Sequence, residues 1–126
     1  MTKKSETGKL GEDLAYEYLV NNRFTIIERN FRKPWGELDI IAKENNGTLV
    51  FIEVKTMRKY GNNSAIAELQ PEDNLTSAKL IKLKRTASLY AGFHPELIDD
   101  KKGWRIDLLA ITLQDDSTDI KHFENI

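Results

Sequence analysis

Cysteine is absent from this chain of 126 residues, so disulfide bonds, thiolate metal sites and cysteine nucleophiles are all excluded. Only two histidines are present, His94 and His122, and this scarcity disfavours a zinc site. Both lie outside every motif described below, so we assign them surface positions. No apolar run approaches the ~20 residues that a membrane-spanning helix needs, and the N-terminal segment is charged. We therefore expect a cytoplasmic protein that does not enter a membrane.

The chain also lacks an excess of either charge, since 19 basic and 20 acidic residues give a net charge of -1. This balance argues against nonspecific binding of a polyanion over the whole surface, so a basic footprint must be local. The hydrophobic content of 40% suffices for one core. We expect one domain, residues 1–126.

Hydrophobic periodicity predicts helices over residues 7–22 and 75–91, the second ended by Gly92. The segments typical of strands are 24–31, the two halves of a hairpin at 36–56, 104–113, and a short edge strand within 119–126. Residues 57–73 are polar and rich in glycine and proline, which predicts a loop with a short helical turn at 65–69. This order predicts an α/β fold with a mixed central β-sheet flanked by helices.

Charged residues interrupt the otherwise apolar hairpin at 36–56. Because side chains alternate along a strand, Glu53 and Lys55 lie on one face. A two-residue loop at 46–47 would send Asp39 and Glu53 to opposite faces, whereas a three-residue loop at 45–47 sets them directly across from each other. We favour the longer loop, because two acids set opposite each other could together bind a cation.

Two opposed carboxylates repel by up to about 1 kcal/mol, and their burial costs more unless a cation compensates. Oxygen ligands without cysteine favour Mg²⁺ or Mn²⁺. Lys55 would lie beside such an ion and hold a water or a phosphate oxygen. The alternative is an ordinary cross-strand ion cluster on a solvated face. The apolar flanks "LDIIA" and "LVFIEV" count against it, because they indicate burial on both faces.

The sequence Asp39 followed by Glu53-Val54-Lys55 resembles the acidic-x-lysine signature of the PD-(D/E)XK nuclease superfamily. More closely, the chain resembles the small bacterial YraN-like family, predicted endonucleases related to archaeal Holliday-junction resolvases. The matching segments are "GKLGEDLAYEYL", "GELDIIA", "FIEVKT" and "WRIDLLAI". Together they cover most of the chain.

This resemblance implies an αβββαβ restriction-endonuclease-like core and metal-dependent cleavage of DNA, on branched or flap substrates. Asp39 and Glu53 would bind Mg²⁺ or Mn²⁺, and the Val54 carbonyl would complete the shell. Lys55 would orient the attacking water or stabilise the pentacovalent phosphate. Glu12 is similar to the first-helix glutamate that such nucleases add to the site. The alternative for Glu12 is a helix-rim acid paired with a nearby basic residue, Arg23 or Lys9.

Several basic residues are candidates for phosphate contacts, which supply affinity but read no sequence. They are Lys79, Lys82 and Arg85 on the second helix, Arg58 and Lys59 in the loop after the lysine motif, and the group Arg29, Arg32 and Lys33. A solvated helix face is the alternative for the helical group. Trp35 either stacks on unpaired bases or caps the core. For Arg105 and Asp107 we favour a mutual ion pair.

Two other classes of function remain open. The first is a nuclease fold that holds nucleic acid or a protein partner without cutting, and the second is an assembly module whose charges form an ion cluster. A homodimer is also expected if the protein acts as a resolvase, because a resolvase cuts two strands symmetrically.

Overall fold

The computed structural model of the chain describes residues 3–59 and 75–126. Within these ranges the helices are α1 (Lys3–Asn21) and α2 (Ser77–Phe93), with a short 3-10 helix at Pro95–Leu97. The strands are β1 (Thr25–Lys33), β2 (Gly36–Lys43), β3 (Leu49–Arg58), β4 (Trp104–Leu113) and β5 (Thr118–Phe123). The predicted helical turn at 65–69 lies outside the described residues. Of the described helices, none is both long and apolar enough to cross a bilayer.

The strands form one mixed sheet in the order β1-β2-β3-β4-β5. Strands β3 and β4 are parallel, and every other neighbouring pair is antiparallel. One core cluster joins α1 to the sheet and a second joins α2 to it. Successive residues of β2 and β3 alternate between these clusters, so the two helices cover opposite faces. The predicted α/β class and its αβββαβ core are confirmed, with β5 added at one edge.

Helix α1 approaches β3 closely because of one glycine. Ala15 and Leu19 are fully buried against the sheet. One turn before Ala15, a methyl group on Gly11 would overlap the Thr56 side chain of β3. The absence of a side chain at Gly11 therefore sets the distance at which α1, and with it Glu12, lies from the sheet.

Helix α2 begins at the N-cap Thr76, whose side chain accepts a hydrogen bond from the Lys79 backbone N–H at 3.2 Å. The prediction that Gly92 ends this helix is wrong, because Gly92 lies in its last turn and the C-cap is His94. The cap has a negative φ of -130°. No left-handed residue is needed at this helix end, so glycine has no advantage there.

The β2–β3 hairpin has the predicted three-residue loop. Lys43 pairs with Leu49, and the Glu44 N–H donates to the Thr48 carbonyl at 2.9 Å. Gly47 closes the loop with φ of +99°, a conformation that side chains disfavour. The same register, continued to the far end of the hairpin, sets Asp39 opposite Glu53.

Candidate active site

The candidate site begins at an irregularity in β2. The pairing of β1 with β2 runs on both sides of Asn30 and Asp39 but does not include them, and Asn30 has φ of +54°. Leu38 and Ile41 pack in the same core cluster, although a regular strand would place them on opposite faces. At this point the Asp39 side chain reaches β3, where it accepts a hydrogen bond from the Val54 N–H.

Asp39 and Glu53 form a partly buried acidic pair at this point. Their carboxyl groups lie close enough for each to shift the pKa of the other. Asp39 Oδ2 also accepts a hydrogen bond from the Val54 backbone N–H at 2.9 Å, and the Asp39 side chain is only 16% exposed. The hairpin register predicted from the charges therefore brings the two acids into direct contact.

Burial, together with the neighbouring charge of Asp39, raises the pKa of Glu53 to about 8. Burial also raises the pKa of Asp39, against the opposing effects of the Val54 N–H and the positive charge of Arg32. Two acids in contact exchange one proton between them and titrate as a pair. We therefore expect the pair to retain a proton near neutral pH, in the position where a cation would compensate both charges.

Arg32 is a member of the site whose role the sequence analysis missed. Its Nη2 lies 3.5 Å from Asp39 Oδ1, and its Nη1 donates to the Leu38 carbonyl at 3.3 Å. Sequence analysis placed it only among candidate phosphate contacts. One signal for its role existed, because the tight turn after β1 pairs Arg32 with Glu37, two residues before Asp39.

Glu12 lies on the α1 side of the acidic pair. With its amide nitrogen facing the carboxylate, Asn30 donates to both Glu12 oxygens, at 3.2 and 3.1 Å. Partial burial raises the pKa of Glu12, and the charge of Asp39 adds to this effect. Its contact is thus Asn30 rather than the basic partners considered above. Among the described residues, no three acidic or histidine side chains lie close enough together to share one metal ion.

A cavity of about 500 Å³ opens between the acidic pair and α2. Asp39 and Glu53 lie on one wall, and three cations of α2 lie on another. The described residues that line it are Lys33, Pro34, Trp35, Gly36, Glu37, Asp39, Glu53, Leu75, Lys79, Lys82, Leu83, Arg85 and Thr86. The structure thus brings together five of the predicted site residues, namely Asp39, Glu53, Lys79, Lys82 and Arg85.

Three other predicted site residues lie outside the described walls of this cavity. Lys55 is half-buried, two residues beyond Glu53 and beside β4. The placement of Arg58 in a loop is wrong, because pairing with β4 extends β3 to this residue. Its Nε and Nη2 each lie 3.4 Å from Thr7 Oγ1 of α1. Lys59 follows the strand, and its N–H donates to the Leu113 carbonyl at 2.8 Å.

A second buried acid, Asp107 of β4, lies on the α1 side of the sheet and is fully buried. It accepts hydrogen bonds from Arg105 Nε at 2.9 Å and Nη2 at 3.1 Å, and from the Asn125 N–H at 3.0 Å. His122 Nε2 lies 2.7 Å from Asp107 Oδ2. The predicted Arg105–Asp107 pair is confirmed. The surface position predicted for His122 is wrong, because β5 pairing carries its ring over Asp107 and beside Tyr18.

The fold and these motifs define the class of the protein. It has a restriction-endonuclease-like core with an acidic pair, and one member of this pair, Glu53, begins the acidic-x-lysine motif. A sequence model of the family described as "Uncharacterised protein family UPF0102" matches residues 11–111. The chain belongs to this family, UPF0102, the YraN family that its motifs resemble.

Three relatives with curated sequences illustrate the match, and each is named a UPF0102 protein. The one from Corynebacterium efficiens is 34% identical over 129 residues, covering 99% of this chain and 94% of its own. The one from Persephonella marina is 39% identical over 120 residues, covering 94% of this chain and 90% of its own. The one from Clostridium botulinum, strain Loch Maree, is 39% identical over 108 residues, covering 86% and 80%.

Proposed function

We propose that the protein is a metal-dependent endonuclease that hydrolyses DNA phosphodiester bonds, on branched or flap substrates, with Mg²⁺ or Mn²⁺. One observation carries this proposal: two neighbouring, partly buried acids with raised pKa values line a cavity together with three cations. Strongly perturbed acids in a cleft are typical of functional sites. The three cations of α2 supply positive charge that would bind a phosphate group.

The donor set fits the proposed metal ion. Asp39 and Glu53 offer carboxylate oxygens, which Mg²⁺ and Mn²⁺ prefer. They would hold the ion in place of the proton that they share. Val54, through its carbonyl, and Glu12, on the α1 side, are candidate further ligands. When bound, such an ion polarises a phosphoryl oxygen and lowers the pKa of a bound water.

The side chains around the acidic pair have separate proposed roles. Lys79, Lys82 and Arg85 hold the phosphates of the strand against the cavity wall. Lys55 orients the attacking water or neutralises the charge that develops on the phosphate. Arg32 holds Asp39 in position and partly compensates the acidic pair before substrate and metal arrive.

Cleavage of a panel of branched, flap, single-stranded and duplex DNA with Mg²⁺ or Mn²⁺ tests this function. We expect Asp39→Asn to abolish cleavage, because the amide keeps the shape of Asp39 but removes its charge. Asp119→Asn is the matched control, since Asp119 is exposed on β5 and does not line the cavity. Equal cleavage by the wild type and Asp39→Asn would exclude the proposed site.

One observation favours a second candidate, a domain that holds DNA without cutting it. No third acid lies with Asp39 and Glu53 in a metal cluster among the described residues. Salt-dependent binding of DNA by the wild type, with no turnover under either metal, would favour this candidate over the endonuclease.

A further inference from the structure

We propose that Trp35 and Phe93 form an aromatic step at one end of the cavity that stacks unpaired DNA bases, so that the substrate enters the site as a single strand. This inference rests on the proposed function and deepens it, because it names the form of DNA that reaches the acidic pair.

The first observation is an aromatic surface continuous with the cavity. Phe93 is the last residue of α2, and its exposed fraction is 68%. Its ring centroid lies 6.2 Å from that of Trp35, with the planes inclined at 50°. Trp35 in turn packs edge-on against Phe31 at 5.6 Å and lines the cavity that contains Asp39 and Glu53. An exposed aromatic residue that extends a functional cavity is a candidate ligand contact.

The second observation is the placement of positive charge along the same surface. Lys33, two residues before Trp35, has its Nζ 5.8 Å from the Phe31 ring centroid. Lys79, Lys82 and Arg85 continue the positive charge along the α2 wall. Proteins that bind single strands combine these two features, with bases on aromatic rings and phosphates on cations. The cations make a polyanion, rather than an apolar protein segment, the occupant that fits.

The third observation is the size and depth of the site. The cavity of about 500 Å³ is comparable to a pocket for one small ligand. Asp39 is only 16% exposed within it. A phosphate held in a stacked duplex lies on the outside of a wide, stiff helix, and base pairing keeps it there. A nucleotide released from the stack can swing inward, as it does in enzymes that flip bases.

Binding of labelled single-stranded and duplex DNA of the same sequence, in EDTA so that no cleavage occurs, tests the step. Each stacked base is worth about 1–3 kcal/mol, so Phe93→Ala should weaken single-strand binding roughly 5- to 150-fold. Duplex binding should be unchanged, and Phe93→Tyr should restore single-strand binding. Ile81→Ala is the matched control, because Ile81 is equally exposed, at 68%, on the same helix. Unchanged single-strand binding in Phe93→Ala, or an equal loss on both DNA forms, would overturn the proposal.

Tryptophan fluorescence gives a second readout that a merely structural role of the aromatic residues would not move. The chain has two tryptophans, and Trp104→Phe leaves Trp35 as the single reporter while keeping a ring against Phe51. We expect single-stranded DNA to quench Trp35 in this variant and an equal concentration of duplex to quench it much less. No quenching by single-stranded DNA would contradict stacking on Trp35.

The outcomes separate this inference from the proposed function. Cleavage that depends on Asp39, together with single-strand binding that ignores Phe93, would remove the step and leave the endonuclease. Stacking on Trp35 and Phe93 without cleavage under either metal would leave the step and remove the endonuclease. A wild type that binds no DNA would overturn both.

Discussion

Asp107 is fully buried and the Asp39–Glu53 pair is partly buried in the same sheet, yet the two are compensated very differently. Asp107 receives two hydrogen bonds from Arg105, one from a backbone N–H, and a contact from His122. Burial alone would raise the pKa of Asp107, but these partners lower it. The acidic pair has one backbone donor and Arg32 at 3.5 Å, and burial raises the pKa of both acids.

The difference shows how burial can serve two purposes. A buried charge is tolerated only when it is paired and hydrogen-bonded. Asp107 meets this condition within the protein itself, and its contacts tie β4 to β5 and to the C-terminal segment. The acidic pair has fewer partners within the protein, so we expect it to retain a proton that it can exchange for a cation. We infer that the first acid stabilises the fold and the second pair binds a ligand.

The largest expected effect is on stability at Asp107. Asp107→Ala leaves Arg105 with one of its two acidic partners and removes the contact between His122 and the carboxylate, so we expect a loss of about 3–5 kcal/mol in the free energy of unfolding. Urea denaturation at neutral pH measures it. Asp115→Ala, in the exposed turn after β4, should be nearly neutral. A loss below about 1 kcal/mol at Asp107 would mean that its contacts do not hold the sheet together.

The second prediction is that a substitution at Glu53 affects cleavage strongly and stability little, the reverse of the effect at Asp107. Glu53→Gln removes one charge of the acidic pair, so we expect metal-dependent cleavage to fall by at least about 10²–10³-fold. The free energy of unfolding should stay constant or increase, because the amide relieves the repulsion with Asp39. Paired cleavage assays and urea denaturation measure both effects. A stability loss as large as that of Asp107→Ala would remove the distinction between the two regions.

The third prediction concerns pH. The pKa of Glu53 is about 8 in the folded protein, against an ordinary value of 4.5. Between these two pH values the folded protein holds a proton on this group, whereas the unfolded chain does not. The stabilising contribution is therefore complete below the ordinary pKa and is lost as pH rises through about 8. We expect the free energy of unfolding to decline between about pH 5 and 8, and Glu53→Gln to flatten the decline.

Asp107 supplies the contrast in this experiment. Its pKa is lowered, so its contribution is present above its ordinary pKa and is lost as pH falls through the folded value. Denaturation profiles of Asp107→Asn should therefore differ from the wild type in slope only at acidic pH. A slope in Glu53→Gln that matches the wild type between about pH 5 and 8 would count against a shared proton.

The smallest expected effect is at Arg32. Arg32→Gln removes a positive charge from beside Asp39, so the pKa of the acidic pair should rise further. The rise should be below about 1 unit, because the Arg32 side chain is 43% exposed and solvent screens its charge. Carbon-13 NMR titration of the carboxyl groups measures it, with Arg32→Lys as the variant that keeps the charge. An unchanged titration in Arg32→Gln would show that Arg32 does not compensate the pair.

Local patterns in the sequence predicted much of the fold and the centre of the site. The three-residue loop and the opposition of Asp39 to Glu53 followed from charge placement in one hairpin, and the bounds of β4 followed from its apolar run. The position of His122 did not follow, because it depends on how β5 pairs with β4. The irregularity at Asn30 has no local signal that a strand pattern would show.

The cavity also depends on contacts between distant segments. Lys79, Lys82 and Arg85 could be assigned to a charged helix face, but only the packing of α2 over the sheet brings them beside the acidic pair. The same packing joins Phe93 to Trp35, which are 58 positions apart in the printed sequence. Such contacts are set by the tertiary fold, which no single segment specifies.

The central claim is that the acidic pair exchanges a proton for a divalent cation, and calorimetric titration with Mn²⁺ near neutral pH tests it most directly. Repeating the titration in two buffers of different protonation enthalpy counts the protons released. We predict that the wild type and the control Glu17→Gln, exposed on α1, bind Mn²⁺ with release of a proton, and that Glu53→Gln loses both the binding and the release. Mn²⁺ binding that Glu53→Gln leaves unchanged, or no binding by the wild type, would contradict the account.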